Sequence, residues 1–198
     1  MALGLSPVAA QEPLKIVAFG DSLIAGFGLE RDEGFVPQLQ AILDERGHKV
    51  EIVNAGVSGD TTSGGLARLD WSIGPDADAV ILELGANDML RGLAPEVAAG
   101  NLDAMMERLN GRGLPVLIAG MRAAPNLGES YGAAFNRIYP DLAKKHGSLI
   151  YPFFLEGVAG NGGLNQPDGI HPTKEGVKVI VKGILPMVEA LIKQAQAR

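Results

Sequence analysis

Hydrophobic residues in this chain fall into two alternating kinds of segment. Short apolar runs are separated by longer segments in which apolar residues recur every three or four positions. The first pattern is typical of buried strands, and the second is typical of amphipathic helices. The runs that predict strands are Ile16–Phe19, Val50–Val53, Ala79–Leu84, Val116–Ala119 and Leu149–Pro152.

The helical pattern is clearest in the longer segments. Pro186 lies inside the last of them, and a proline removes a backbone hydrogen bond, so we expect a kink or a break there. Trp71 lies outside these segments and is expected to serve in packing. The segments that predict helices are Phe35–Arg46, Pro95–Asn110, Ser130–Lys145 and Lys174–Gln196.

Alternation of five strands with helices predicts an α/β fold. Short, almost wholly apolar strands indicate a parallel sheet that helices cover on both faces, which gives three layers, αβα. Right-handed crossovers would wind such a five-stranded sheet in two directions from a switch point, as in a doubly wound, flavodoxin-like fold. Since no repeat or linker interrupts the pattern, residues 13–198 are predicted to form one domain.

Polar and glycine-rich segments follow every predicted strand. Functional groups in doubly wound folds gather outside the carboxyl ends of the strands, so these segments are expected to meet at one edge of the sheet. They are Gly20–Ser22, Asn54–Asp60, Gly85–Asp88, the loop from Gly120 to Gly128, and Asp168–Pro172.

The composition narrows the classes of function. The chain has 198 residues, 46% of them hydrophobic, and a net charge of −6. It contains no run of lysine and arginine, which argues against a nucleic-acid partner. No apolar run approaches the roughly 20 residues that span a bilayer, so stable membrane insertion is not expected. The chain has no cysteine, and this excludes disulfides and thiolate catalysis.

The first residues resemble the end of an export signal. Residues 1–10 are mainly apolar and end in Val-Ala-Ala before a polar pair, as at a signal-peptide cleavage site. Residues 1–12 are therefore interpreted as a signal remnant or an unstructured terminus, and the protein is expected in the periplasm or outside the cell. A cytoplasmic location stays open, and the sequence does not reveal the oligomeric state.

Asp21 and Ser22 stand at the abrupt end of the first strand. A serine beside glycine at that position can be a nucleophile, because glycine leaves room for a substrate to approach. The alternative is that the pair only caps a helix, since aspartate and serine often accept backbone N–H bonds there.

Asp168 and His171 form a D-x-x-H pair near the end of the chain. One turn can carry both side chains, with the carboxylate bonded to one imidazole nitrogen and the other nitrogen free to take a proton from a serine. The alternative is a simple surface turn, because Asp-Gly and His-Pro are strong turn formers.

An acyl-transfer site also needs donors that face the developing oxyanion. Three candidates lie at the predicted edge: the backbone N–H of Ser22, the backbone N–H of Gly59, and the side-chain amide of Asn87. The structural alternatives are a turn glycine at 59 and a loop-closing asparagine at 87.

Four sequence blocks together resemble the SGNH (GDSL) hydrolases. F-G-D-S-L, N-A-G-V-S-G-D-T, G-A-N-D and D-G-I-H-P occur in the order found in that family, at residues 19–23, 54–61, 85–88 and 168–172. The likeness is most detailed to the bacterial branch of esterases, arylesterases, lysophospholipases and thioesterases I. It extends from about Lys15 into the last predicted helix.

The resemblance implies roles for five residues. Ser22 would be the nucleophile, with Asp168 and His171 completing the triad. Gly59 and Asn87 would form the oxyanion hole together with the N–H of Ser22. The resemblance also implies that residues 89–94 move with substrate and that residues 122–131 line the acyl site. The residues expected to bind substrate are Asp21, Met89, Leu90, Arg122, Pro125 and Ile170.

The sequence therefore predicts a serine esterase that works through an acyl-serine intermediate and needs no cofactor or metal. Without a cap insertion the site is expected to be shallow and open, favouring short to medium acyl chains and aryl esters. Thioesters, lysophospholipids and acetylated sugars stay open as physiological substrates, and an ester- or glycan-binding module is the non-enzymatic alternative.

Some polar residues have no place in that prediction. Glu83 lies within an apolar run, where a carboxyl group needs a partner that the sequence does not identify. A metal site among the edge aspartates would need more than the lone Asp168–His171 pair. His48 and His146 have no neighbours at ligand spacing and are expected to be solvated.

Overall fold

The computed structural model describes residues 12–198, and one parallel sheet forms its centre. Its strands lie in the order β2-β1-β3-β4-β5, which confirms the predicted flavodoxin-like winding. Phe19 of the first strand is in register with Ala55 on one side and Leu82 on the other. The strands are β1 (Leu14–Gly20), β2 (Val50–Gly56), β3 (Ala79–Leu82), β4 (Val116–Ala119) and β5 (Leu149–Tyr151).

Helices cover both faces, so the three-layer architecture is also confirmed. The second and seventh helices pack together on one face, and the third, fifth and sixth cover the other. A short 3-10 helix spans Pro125–Leu127. The α-helices are α1 (Ser22–Ala25), α2 (Phe35–Glu45), α3 (Thr62–Ser72), α4 (Ala86–Leu90), α5 (Pro95–Gly111), α6 (Glu129–His146) and α7 (Lys174–Gln196).

Three helices lie outside the segments that predicted helices: α1, which the sequence left open as a helix or a loop, α3 and α4. Two of them are too short to show a helical period. The third, α3, contains two glycines and little apolar surface, so its pattern is weak. The predicted third strand is also two residues too long, because Leu82 and not Leu84 ends the pairing with β1.

Two local predictions need correction. Of the kink or break predicted at Pro186, the break is not found, because α7 continues from Lys174 to Gln196. Pro186 and Lys182, whose carbonyl loses its helical partner, both lie on the solvent side, where water can replace the bond. Trp71 does not serve in packing either; it projects from α3 and is 89% exposed.

The switch point of the sheet lies beside β1. The chain passes from β1 to β2 on one side and then returns across β1 to β3 on the other. The segments that follow these three strands therefore meet at one edge, where a doubly wound sheet places its ligands.

Residues 1–10, which carry the export prediction, lie outside the described residues. Within residues 12–198, no helix combines the length and apolar character needed to cross a bilayer.

Candidate active site

Ser22 is the first residue of α1, directly after the turn that ends β1. Asp21 caps this helix, since its Oδ1 accepts the N–H of Leu23 at 3.0 Å. Gly26 ends the helix with a φ of +81°. The capping alternative is thus correct for Asp21, but Ser22 itself lines a cleft, with 8% of its surface exposed.

Asp168 and His171 face Ser22 from a turn that we call the Asp–His turn (residues 168–171). His171 Nε2 lies 2.9 Å from Ser22 Oγ, and His171 Nδ1 lies 2.6 Å from Asp168 Oδ2. The other carboxylate oxygen of Asp168 accepts the backbone N–H groups of Ile170 and His171. Two hydrogen bonds therefore join a hydroxyl, an imidazole and a carboxylate in the arrangement that nucleophilic catalysis by serine requires.

The Asp168 carboxyl group is held in its charged form. The hydrogen bond from His171, followed by the two backbone N–H bonds, lowers the pKa of Asp168 to about 2. Asp168 is therefore a carboxylate at any pH at which an esterase is assayed. A carboxylate at Nδ1 keeps a proton on that nitrogen and leaves Nε2 as the acceptor for the serine proton.

The predicted oxyanion donors line the same cleft as Ser22. Gly59 has a φ of +80°, a backbone conformation that residues with a side chain rarely adopt. Asn87 lies in α4, and its Nδ2 donates to Asp21 Oδ2 at 2.9 Å. An amide nitrogen carries two protons, so the second N–H of Asn87 is left for a ligand. We call Ser22, Gly59 and Asn87 the nucleophile side.

Arg68 of α3 anchors the nucleophile side from below. Its guanidinium donates to the carbonyl of Gly20, the last residue of β1, at 2.8 Å and to that of Ala55, the last residue but one of β2, at 2.9 Å. It also pairs with Asp60 at 2.7 Å and lies 4.0 Å from the ring centroid of Phe19. One side chain thus joins both strand ends to the loop that carries Gly59.

Two further contacts join the loops that follow β2 and β3. Arg91 donates to the carbonyl of Gly59 at 2.7 Å. Asp88 is buried and accepts both the N–H and the hydroxyl of Thr62, at 2.8 and 2.6 Å. These bonds fix the separation between Gly59 and Asn87.

The cleft has a volume of about 800 Å³ and is lined mainly by apolar side chains. It reaches the buried Met89 and Met121, so it is less shallow than the sequence predicted. Arg122 stands at its side, 3.4 Å from Glu156. The structure brings together all the residues expected to bind substrate: Asp21, Met89, Leu90, Arg122, Pro125 and Ile170.

Sequence reasoning missed several residues of this cleft. The ring of Phe27 lies 4.6 Å from that of His171, and Phe27 is half exposed. Phe153 and Leu155 line the cleft from the loop after β5. The only signal for Phe27 was an apolar residue between two glycines, and the other two residues follow a strand that shows no polar motif.

The two histidines outside the cleft, His48 and His146, form separate pairs with acidic side chains. In the chain from residue 12 onwards, no three of these side chains converge as metal ligands. His48 contacts Glu189 at 3.2 Å, and His146 contacts Asp103 at 2.7 Å. The prediction of a solvated His146 is wrong, since 7% of its side chain is exposed.

Known proteins resemble this chain in both sequence and architecture. The model of the GDSL-like lipase/acylhydrolase family matches residues 18–179. The esterase TesA of Pseudomonas aeruginosa is 40% identical over 189 residues, which is 95% of this chain and 93% of that protein. An arylesterase of Vibrio mimicus is 39% identical over 168 residues, 84% of each chain.

A solved structure extends the likeness to three dimensions. The crystal structure of AlinE4, an SGNH-hydrolase family esterase, superposes with a TM-score of 0.78. It is 45% identical, and the match covers 92% of this chain and 98% of that one.

Proposed function

Because the chain belongs to the GDSL-like lipase/acylhydrolase family and hydrolyses carboxylic esters, we propose that Ser22, His171 and Asp168 are its catalytic triad. The observation that carries this proposal is the 2.9 Å contact between Ser22 Oγ and His171 Nε2, with Asp168 bonded to the opposite nitrogen of the ring. A serine hydroxyl is a weak nucleophile until such a base takes its proton.

The reaction follows from these contacts in two halves. Ser22 Oγ attacks the ester carbonyl while His171 Nε2 takes its proton, and Asp168 stabilises the imidazolium that forms. The tetrahedral intermediate collapses, and the alcohol leaves with the proton from His171. Water then gives a proton to His171, attacks the acyl-serine and releases the acid, and Ser22 regains its proton.

The oxyanion of each intermediate would be held by the nucleophile side. The donors are the N–H groups of Ser22 and Gly59 and the free N–H of the Asn87 amide. The N–H groups in the first turn of a helix have no partner within the helix, which makes that of Ser22 available. Removing one such donor in other acyl-transfer enzymes lowers kcat about 10²–10³-fold.

The substrates are small esters, and the cleft favours an apolar acyl group. Its lining is mainly apolar, and the methionine, leucine and phenylalanine side chains suit acyl chains of short to medium length. The exposed Phe27 ring beside His171 provides a surface for an aromatic leaving group. Aryl and short- to medium-chain alkyl esters are therefore the proposed substrates.

A second candidate activity is the cleavage of long-chain acyl thioesters or lysophospholipids. The observation in its favour is the cleft volume of about 800 Å³, which reaches the buried Met121. Turnover of p-nitrophenyl butyrate and p-nitrophenyl palmitate separates the two candidates. Faster hydrolysis of butyrate supports the short-chain proposal, and equal or faster hydrolysis of palmitate contradicts it.

The experiment that tests the triad is turnover of p-nitrophenyl acetate and butyrate, with EDTA present. We expect Ser22→Ala to lower kcat by at least about 10⁴-fold. Ser148→Ala, between α6 and β5 and outside the cleft, is the matched control and is expected to keep the activity. Turnover that survives in Ser22→Ala would contradict the proposed nucleophile.

Export to the periplasm stays a proposal that rests on residues 1–10 alone. Separate assays of esterase activity in the periplasmic and cytoplasmic fractions of the producing cells would test it, and activity confined to the cytoplasm would contradict it.

A further inference from the structure

Glu83 is a buried carboxyl group that the mechanism above does not use. It follows β3, where its N–H donates to the carbonyl of Phe19 at 2.9 Å, and none of its surface is exposed. It packs directly behind Gly20, since a Cβ on that glycine would lie 2.6 Å from Glu83 Oε2. A glycine is therefore required at 20 to admit the Glu83 side chain beneath the nucleophile turn.

Glu83 contacts the residue that precedes the nucleophile. Its Oε2 accepts the backbone N–H of Asp21 at 3.3 Å. The Asp21 carboxylate in turn accepts the N–H of Leu23 and the amide of Asn87. A continuous chain of hydrogen bonds thus runs from Glu83 through Asp21 to two parts of the site, the start of α1 and the oxyanion amide.

The surroundings of Glu83 and Asp21 favour a state in which the two carboxyl groups hold one proton between them. Burial, together with the negative charge of Asp21, raises the pKa of Glu83 well above its usual value. Burial also raises the pKa of Asp21, while its bonds to Leu23, Glu83 and Asn87 act in the opposite direction. Those opposing bonds identify Asp21 as the member that keeps its charge and Glu83 as the member that keeps the proton.

The unpaired oxygen of Glu83 agrees with that assignment. Among the described residues, its Oε1 is buried without a hydrogen-bond partner. An ionised carboxylate with one bare oxygen in the interior would carry a large desolvation penalty, whereas a neutral acid tolerates it far better. No lysine or arginine pairs with Glu83 in that part of the chain to offset a charge.

We propose that Glu83 is a positioning residue that works as a neutral acid, holding Asp21 so that the Asn87 amide faces the oxyanion. The inference rests on the proposed oxyanion role of Asn87. Neutrality matters because a second negative charge behind Asp21 would oppose the negative charge that develops on the substrate. A hydrogen bond from the Asp21 N–H to a neutral side chain keeps the alignment without adding that charge.

The groups around Glu83 set the pH at which this arrangement fails. Asp21 faces it directly, and the buried Tyr139 hydroxyl, which donates to the carbonyl of Leu84, lies nearby. Asp88 and His171 act on the same cluster from the neighbouring loop and the Asp–His turn. Glu83 is completely buried, and the loss of its proton would place two adjacent carboxylates, those of Glu83 and Asp21, beneath the oxyanion. None of the other groups named here combines these two properties.

Two substitutions separate alignment from simple packing. Glu83→Gln keeps the shape, stays neutral and retains both a donor and an acceptor, so we expect kcat within about threefold of wild type. Glu83→Met fills the space without hydrogen bonds, and we expect kcat to fall about 30-fold with KM unchanged, as for a partly misdirected oxyanion donor. The assay is p-nitrophenyl butyrate hydrolysis by the full chain.

Tyr139→Phe is the matched control. It removes the buried Tyr139 hydroxyl, which donates to the carbonyl of Leu84, the residue after Glu83. We therefore expect it to lower stability while leaving kcat unchanged. Equal kcat values for Glu83→Met and Tyr139→Phe would overturn the proposal, as would equal losses in Glu83→Gln and Glu83→Met. Failure of the proposed triad is a different result, because it appears as turnover that does not depend on Ser22.

A stability measurement tests the proton even if Glu83→Met does not fold. With its pKa raised in the folded state, Glu83 takes up a proton on folding at pH values between its ordinary value of 4.5 and its raised folded value. Wild type should therefore lose stability relative to Glu83→Gln as pH rises across that range, by up to about tenfold in the unfolding equilibrium constant per pH unit. A difference in stability between wild type and Glu83→Gln that does not change with pH would contradict a neutral Glu83.

Discussion

The nucleophile side and the Asp–His turn hold opposite halves of one site in different ways. Ser22 is 8% exposed and rests on fully buried residues, whereas the side chain of Asp168 is 38% exposed. The nucleophile side depends on contacts between residues far apart in the sequence, such as Arg68 with Gly20. Within the turn, Asp168 bonds the backbone of residues only two and three positions away.

This difference teaches how stability and activity are distributed over the site. Changes on the nucleophile side alter packing as well as chemistry, because its residues belong to the joint between β1, β2 and β3. Substitutions in the Asp–His turn are expected to alter catalysis without altering stability, because its side chains make few contacts that hold the fold together. The bond from Gln166 to the carbonyl of Phe27, at 2.8 Å, couples the segment before the turn to the loop after α1.

Asp168→Asn should produce the largest effect and the cleanest separation. Its oxygen still accepts the two backbone N–H groups, but its amide nitrogen faces His171 Nδ1 and favours the wrong tautomer. We expect kcat to fall on the order of 10³–10⁴-fold, with unfolding free energy unchanged within about 0.5 kcal/mol. Ester turnover and urea unfolding of the same sample measure both.

Asp70→Asn provides the control for that substitution, since Asp70 lies exposed on α3 and pairs only with Arg108. It should keep both activity and stability. A kcat loss below tenfold in Asp168→Asn would contradict the orienting role, and a large loss of stability would remove the contrast between the two regions.

Arg68→Met should have the next largest effect, this time on stability. It leaves Asp60, whose side chain is 10% exposed, without its cation and removes one donor from each of the carbonyls of Gly20 and Ala55. We expect a loss of about 3 kcal/mol in unfolding free energy, since removing one partner of a buried ion pair leaves a charge uncompensated. Urea denaturation measures it.

The matched substitution is Arg108→Met, which breaks an exposed ion pair with Asp70 and should cost under about 1 kcal/mol. If both arginine substitutions cost the same, Arg68 does not anchor the nucleophile side.

Arg91→Met should give the smallest effect and test the oxyanion loops alone. Its guanidinium is exposed and holds the carbonyl of Gly59, so its loss should loosen the loop without unfolding the protein. We expect kcat to fall about tenfold, a fraction of the loss seen when a donor itself is removed. Arg91→Lys, which can still donate to that carbonyl, should recover most of the rate; equal rates in both variants would contradict the role.

The same contrast explains what the sequence could predict. The Asp–His turn could be predicted from the sequence because its geometry depends on residues close together in the chain. The apolar runs were enough to predict the three layers. The partner of Glu83 was not readable, because Asp21 is 62 residues away and meets it only when β1 and β3 pair. Helix α3 was missed for a similar reason.

Gly65 shows that reason in detail. A Cβ at this position would lie 2.3 Å from Leu84 and 3.3 Å from Phe19, so the glycine permits close packing of α3 on the sheet. In the sequence alone, the same glycine lowers helix propensity and obscures the element. His146 was misjudged likewise, because its partner Asp103 belongs to the neighbouring helix α5.

The separation of 149 positions between Ser22 and His171 also orders events during synthesis. A ribosome adding about 5–20 residues per second needs roughly 7–30 seconds to travel from the serine codon to the histidine codon. Throughout that interval the nascent chain carries Ser22, and later Gly59 and Asn87, but not the proposed base. On the proposed mechanism, ester hydrolysis begins only when translation has passed the Asp–His turn, so an unfinished chain does not attack the esters around it.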